Sequence, residues 1–243
     1  MSVVIPTRDS ARHVGIVLAH YRRAGWPVQV FVDAASSDGT LGACRRAGFR
    51  AELIDNPAGR TEAMVAGMSA RARTDWVLRM DDDELPTDAM IRAVNRCVAG
   101  DEQAKHAFRL RHCTLAAGGG LAAVRFYEDP PHDQLRLYNR RHARFDATLH
   151  SPGIDIANKV VAEPDAFFVH LQWIVKTYAE RADKIARYDA QRQGAGSDWR
   201  DYYLLEDNPA ALASAVRLAA PEFARAARAL ARRFPDALRV PVA

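Results

Sequence analysis

Cysteine is scarce in this chain, with only Cys44, Cys97 and Cys113 among 243 residues. An odd number without metal-ligand spacing fits neither a complete disulfide framework nor a thiolate site, so buried free thiols in a reducing compartment are expected. No run of about 18 apolar residues occurs, so no membrane-spanning helix is expected. The N-terminus lacks a basic stretch leading into a short apolar one, so no leader is expected and the chain reads as cytoplasmic. Also missing is any basic–aromatic block. The 34 lysines and arginines exceed the 30 acids by only four, and the arginines are dispersed. That balance fits anionic partners such as nucleotide phosphates, acidic glycans or a membrane surface, and gives no reason to expect nucleic acid.

What is present is a rhythm. Val3-Val4-Ile5 forms a short apolar strand closed by Pro6, and Ser10 can cap a helix whose apolar face is Val14, Val17, Leu18 and Tyr21. Strands at 28–32, 50–54 and 76–80 follow, each leading into a helix: Thr40 to Gly48, Thr61 to Arg73, and Thr87 to about Gly100. Four strand-then-helix units of this kind predict a parallel sheet covered on both faces. Beyond Gly100 the pattern changes to strands at 106–115, 121–127, 134–139, 159–163 and 166–171, which predicts a mixed addition to the sheet edge. A helix is expected from Trp173 to Gln193, then a linker at Gly194-Ala195-Gly196-Ser197. An Ala/Arg-rich helical region at 209–234, interrupted at Pro221, completes the chain. The expected division is 1–193 as the main domain, made of 1–100, 101–172 and a helix at 173–193, with 194–243 as a helical extension.

The fourth strand ends in Asp81-Asp82-Asp83-Glu84. At about 6 Å and an effective dielectric near 20, each pair of adjacent carboxylates repels by about 3 kcal/mol before screening. A solvated acidic turn is one explanation; a hard cation such as Mg²⁺ or Mn²⁺ is the other. In an open parallel sheet, ligands bind outside the carboxyl ends of the strands. Three such ends carry functional groups here: Pro6-Thr7-Arg8-Asp9, Asp33 through Thr40, and the acidic tetrad. Their convergence favours a site.

Taken in order, Val3-Val4-Ile5-Pro6-Thr7, Val30-Phe31-Val32-Asp33 leading to Ser37-Asp38-Gly39-Thr40, and Met80-Asp81-Asp82-Asp83-Glu84 resemble glycosyltransferase family 2 with the GT-A fold. Downstream, Gln134 through Arg141, Phe145, His150 and Val169-His170 are similar to the bacterial branch that includes lipopolysaccharide-core glycosyltransferases. The resemblance covers residues 2–190. It implies a GT-A type, Rossmann-like α/β fold with a mainly parallel sheet flanked by helices, a mixed second half and C-terminal helices. It also implies transfer of a sugar from a nucleotide-sugar donor, a UDP-sugar first among them, to a glycan, lipid-linked or small-molecule acceptor in cell-surface glycan assembly, with inversion and with Mn²⁺ or Mg²⁺.

Carried over by position, the resemblance implies donor-nucleotide contacts from Pro6, Thr7, Asp9, Asp33, Arg60, Asp81 and Asp82. Metal contacts fall to Asp81, Asp83 and His170, with Glu84 beside them. Arg136 and Arg140 would bind the diphosphate. A base must take the acceptor hydroxyl's proton. Relatives often have a His-Glu pair where this chain has His150-Ser151, which leaves Asp133, Glu128 and Asp129 as candidates and Asp133 preferred. Two other readings stay open. One is a degenerate domain that binds nucleotide without turnover; the other is a nucleotidyltransferase, disfavoured because a glycine-rich, lysine-containing phosphate loop is missing near the first strand. The C-terminal arginines Arg217, Arg225, Arg228, Arg232 and Arg233 suit either a solvated helix face or peripheral contact with an anionic membrane.

Overall fold

The computed structural model describes residues 1–100, 105–117, 121–124, 133–148, 151–161, 166–217 and 221–237. Its elements begin with β1 (Ser2–Thr7), α1 (Val14–Tyr21), β2 (Val28–Asp33), α2 (Thr40–Arg46), β3 (Arg50–Ile54), α3 (Thr61–Arg71), β4 (Trp76–Arg79), β5 (Glu84–Pro86) and α4 (Asp88–Ala99). Six strands follow: β6 (Ala107–Ala117), β7 (Leu121–Val124), β8 (Asp133–Asn139), β9 (Arg144–Phe145), β10 (Ile154–Asp155) and β11 (Lys159–Val161). The remainder is β12 (Phe167–His170), α5 (Gln172–Val175), α6 (Tyr178–Gln191), α7 (Arg200–Tyr203), α8 (Pro209–Ala213), β13 (Val216–Arg217) and α9 (Ala224–Arg233). The chain forms two compact units, residues 1–112 with 132–168, and residues 113–131 with 169–243.

In the first unit β3, β2, β1 and β4 lie side by side in parallel. All six residues of β1 are buried, as a strand covered on both faces requires. β8 then runs antiparallel to β4, the first residues of β6 are antiparallel to β8, and β11 joins β6 in parallel. This is the α/β class expected, with a parallel sheet and a mixed addition at its edge. The predicted face of α1 is the observed one: Val14, Val17, Leu18 and Tyr21 are buried. On α3, Met64, Val65 and Met68 join Val4, Phe31, Val77 and Tyr138 in one apolar cluster. Each such aliphatic or phenyl side chain, fully buried, contributes about 1.5–3 kcal/mol to holding α3 against the sheet.

Thr87 caps α4 by accepting from the Met90 N–H at 3.1 Å, and its own hydroxyl donates to the Phe167 carbonyl at 2.6 Å. The short strand β5, ending in Pro86, was not expected, because an acidic residue and a proline hide its three-residue pattern.

In the second unit the end of β6 pairs antiparallel with β7, and β7 with β13. The helix expected over 173–193 is divided into α5 and α6. Thr177 accepts from the Glu180 N–H while Glu180 accepts from the Thr177 N–H, and this reciprocal cap starts a new helix. The Gly194–Ser197 segment, expected as a linker, is a packed turn: the Asp189 carboxylate accepts from the N–H groups of Gly196 and Ser197 at 2.7 and 3.0 Å. The expected C-terminal helical region is α8, capped by Asn208 with Pro209 in its first turn, then β13, a turn at Pro221 and α9. Among the described residues no helix is long and apolar enough to cross a membrane.

Candidate functional site

Because β1, β2 and β4 are parallel and adjacent, their carboxyl ends lie on one edge of the first unit. The three loops that leave those ends are tied together by polar side chains. After β1, Asp9 takes a left-handed backbone conformation with φ of 49°. Its N–H donates to the Ser36 hydroxyl at 3.0 Å, and its carboxylate accepts from the Ser37 N–H at 2.8 Å. Asp9 thereby fastens the first loop to the second.

Asp33, at the end of β2, is only 1% exposed. One carboxylate oxygen accepts from the Ala35 N–H at 2.8 Å and the other from the Asn56 side-chain amide at 2.9 Å, with Arg8 Nη1 3.6 Å away. Asn56 follows β3, so three strand ends meet around this carboxylate. In the same loop Asp38 accepts from the Thr40 hydroxyl and from the N–H groups of Ala11 and Thr40. Partial burial opposes its ionisation, but these donors outweigh it and hold the Asp38 carboxyl below its usual range.

The acidic turn after β4 is held on both flanks. On the β8 side, Arg136 Nη2 donates to Asp81 at 3.0 Å and to Glu84, while the Asp81 N–H donates to Glu84 at 2.8 Å. The Arg136 guanidinium also lies 5.3 Å from the Phe168 ring centroid. Burial opposes ionisation of Asp81, but Arg136 and then Arg79 outweigh it and hold its carboxyl below the usual range. On the β1 side, Asp82 accepts from the hydroxyls of Thr7 and Ser10, and His13 Nε2 lies 3.8 Å from it. Asp83 is buried at 9% exposure. The tetrad's repulsion is therefore relieved first by protein groups, chiefly Arg136 and Arg79.

Thr7 and Asp33 thus end their strands, Asp9, Asp81, Asp82 and Asp83 lie in the linked loops that follow, and Arg136 joins them from β8. Pro6 sits inside β1, opposite Phe31 of β2. Arg60 immediately precedes α3, and its Nε donates to the Ala147 carbonyl at 3.0 Å. Arg140 is not brought to this edge. β8 runs antiparallel to β4, with Asn139 opposite Trp76, so Arg140 lies at the far end of the sheet. There it donates to the carbonyls of Ser69 and Ala70 at the end of α3 and faces Asp75 at 3.7 Å. A diphosphate role for Arg140 does not fit that place; its guanidinium satisfies helix-end carbonyls instead.

His170 belongs to the second unit, with Nδ1 2.9 Å from the Tyr202 hydroxyl. Asp133 begins β8, with its backbone opposite Arg111. Glu128 and Asp129 lie outside the described residues. Sequence reasoning assigned nothing to Ser10, Asn56 or Arg79. The sequence offers Ser10 only as a helix cap, and no local pattern marks Asn56 as a partner of Asp33 or Arg79 as the buried neighbour of Asp81.

Among the described residues no three His, Cys, Asp or Glu side chains cluster as a ready-made metal cage. The donor set nonetheless fits a hard divalent cation that takes its other ligands from a bound anion. Asp81 Oδ1 is buried without a hydrogen-bond partner, an oxygen that a cation would satisfy.

No curated protein matches the chain. Among solved structures, that of Staphylococcus aureus TarS 1–349 is similar at 14% identity, covering 96% of this chain and 80% of that one with a TM-score of 0.50; it shows the shared fold. Glucosyl-3-phosphoglycerate synthase from Mycobacterium tuberculosis, solved with Mn²⁺ and UDP, is 18% identical, with a TM-score of 0.38 over 46% of this chain. This chain spans 43% of that protein's length. Residues 2–97, which hold the ends of β1, β2 and β4 and the whole acidic turn, match the family model described as glycosyl transferase family 2.

Proposed function

We propose that this protein transfers a sugar from a nucleoside diphosphate donor to an acceptor hydroxyl, with a divalent cation at the acidic turn. The observation that carries the proposal is the linked set of three strand-end loops with acidic side chains, lying within the segment that matches a glycosyltransferase model. Thr7, Asp9, Asp33 and Arg60 receive the nucleotide, and Asp33, oriented by Asn56 and the Ala35 N–H, presents a fixed carboxylate to the base. Asp81 and Asp83 hold Mn²⁺ or Mg²⁺, which when bound offsets charge on the departing diphosphate. Arg136 keeps Asp81 ionised and oriented.

Proton removal from the acceptor falls to Asp133, or to Glu128 or Asp129, in an inverting transfer. His170 is a further candidate for the metal and diphosphate. The acceptor class is a glycan or lipid-linked glycan of the cell surface, as in the lipopolysaccharide-core branch. Exposed Arg225, Arg228, Arg232 and Arg233 on α9 give the protein a cationic face for such an acceptor or its membrane. A place at the cytoplasmic face of the membrane agrees with that face.

The test is release of nucleoside diphosphate from common nucleotide-sugars with and without Mn²⁺. Metal-dependent release that Asp83→Ala abolishes supports the reading. Binding of nucleotide without release, for every donor and acceptor tried, would favour a domain that binds without turnover. No binding of any nucleoside diphosphate by calorimetry, with Mn²⁺ or Mg²⁺, would end both.

A further inference from the structure

Asp82 is the middle member of the acidic turn, and its surroundings differ from those of its neighbours. Asp81 faces Arg136 on β8. Asp82 faces the opposite flank, where one oxygen accepts from both the Thr7 and the Ser10 hydroxyls. The link continues past Ser10, whose N–H donates to the Thr40 hydroxyl at 2.7 Å; Thr40 in turn donates to Asp38, which accepts the Ala11 N–H at 2.9 Å. One hydrogen-bonded path therefore runs from the acidic turn after β4, through the loop after β1, to the loop after β2. The buried His13 ring approaches the other Asp82 oxygen at 3.8 Å.

We propose that Asp82 is a positioning residue that locks the acidic turn to the loops after β1 and β2. The inference rests on the glycosyltransferase reading and deepens it. A carboxylate whose oxygen already serves two hydroxyls is poorly placed to coordinate a cation, whereas it fixes the backbone that carries Asp81 and Asp83. The turn has two independent clamps: Arg136 from β8, and the Thr7–Ser10 pair from β1. The second also sets the distance between the acids that follow β4 and the Asp33 carboxylate of β2, so that a single nucleotide can span both. Partners that orient metal-binding carboxylates in this way typically change affinity by about 10- to 100-fold when removed.

The discriminating comparison is Asp82→Asn against Asp82→Ala, with the Thr7→Val/Ser10→Ala double variant alongside. An asparagine can still accept from a hydroxyl, but it is a poor substitute for an anionic ligand. Mn²⁺–nucleoside diphosphate affinity is measured by calorimetry. Positioning predicts that Asp82→Asn stays within about threefold of the parent protein, while Asp82→Ala and the double variant each lose about 10- to 100-fold. Adding Asp82→Ala to the double variant should then cost little more, because all three groups act as one unit. Equal large losses in Asp82→Asn and Asp82→Ala, with the double variant unaffected, would make Asp82 a ligand and overturn the proposal.

Hydrogen exchange of the 81–84 amides in the free protein gives a ligand-independent readout. Faster exchange in Asp82→Ala and in the double variant supports the lock, and unchanged exchange in both overturns it. If the parent protein binds no nucleoside diphosphate, the glycosyltransferase reading falls, and the exchange rates still decide whether Asp82 holds the turn.

Discussion

Arg136 and Glu84 form an ion pair in which both side chains are almost wholly buried, at 3% and 2% exposed. Asp81 shares the same guanidinium, so one cation from β8 serves two acids of the turn after β4. Burial alone would lower the Arg136 pKa, but Asp81 and Glu84 reverse that and raise it, so the guanidinium stays charged.

Removing that cation leaves Arg79 as the remaining buried cation beside two acids. Arg136→Met keeps much of the apolar stem over Phe168 but takes the shared guanidinium from Asp81 and Glu84. Breaking a buried pair on one side costs about 3–5 kcal/mol, and a loss of that size in urea unfolding is expected. A stability equal to that of the parent protein would show that water or a bound ion compensates the acids in solution.

The same contacts fix a pH dependence. The Asp81 carboxyl is held below its usual range in the folded protein, while the unfolded chain titrates near the ordinary value of about 3.9. The folded state therefore binds fewer protons there. The resulting stabilisation is fully present above about pH 4 and is lost as pH falls through the lowered folded value. Urea midpoints recorded between pH 3 and 7 should drop on the acid side, and Asp81→Asn should remove part of that drop.

Burial pushes the Cys44 and Cys113 thiols up to about 11. Thiolate is the reactive form, so at pH 8 both should resist iodoacetamide in the folded protein and react after unfolding. Peptide mass spectrometry reads the outcome directly, and rapid alkylation of either residue in the folded state would contradict the packing described.

Two glycines of the chain should differ sharply on substitution. Gly25 has a φ of +66° with open space where a side chain would go, so Gly25→Ala meets only the left-handed strain of about 1 kcal/mol. At Gly196 an added Cβ would lie 2.2 Å from the Ile185 carbonyl oxygen of α6. Backbone must move there, and Gly196→Ala should lose about 3 kcal/mol in thermal or urea unfolding.

Much of this arrangement was legible in the residues themselves. Continuous apolar runs such as Val3-Val4-Ile5, alternating with helical periods, marked the parallel strands, and the acids and hydroxyls at their ends marked one edge. What stayed hidden was long-range pairing. Nothing near Arg136 in sequence shows that it faces Asp81 while Arg140, four residues on, faces Asp75, because the antiparallel course of β8 decides that. The division of the tetrad between two flanks was equally hidden, since a run of acids carries no record of which neighbour each one meets. Short elements failed for a different reason: the three residues of β5 are too few to show a period, and a good capping residue such as Thr177 can end one helix by starting another.

The antiparallel return of β8 beside β4 bears on how this protein can be divided. The family-model match ends at residue 97, so residues 1–100 look like a portable half. Yet the counter-charge for Asp81 and Glu84 comes from residue 136, and the hydrogen bonds along the outer edge of β4 come from Leu137 to Asn139. A fragment cut after residue 100 would keep every matched position and Arg79, and lose the Arg136 guanidinium that Asp81 and Glu84 share. Chimeras that exchange the part of the chain after residue 100 must therefore keep β8 with residues 1–100, because the unit of inheritance for this site is discontinuous along the chain.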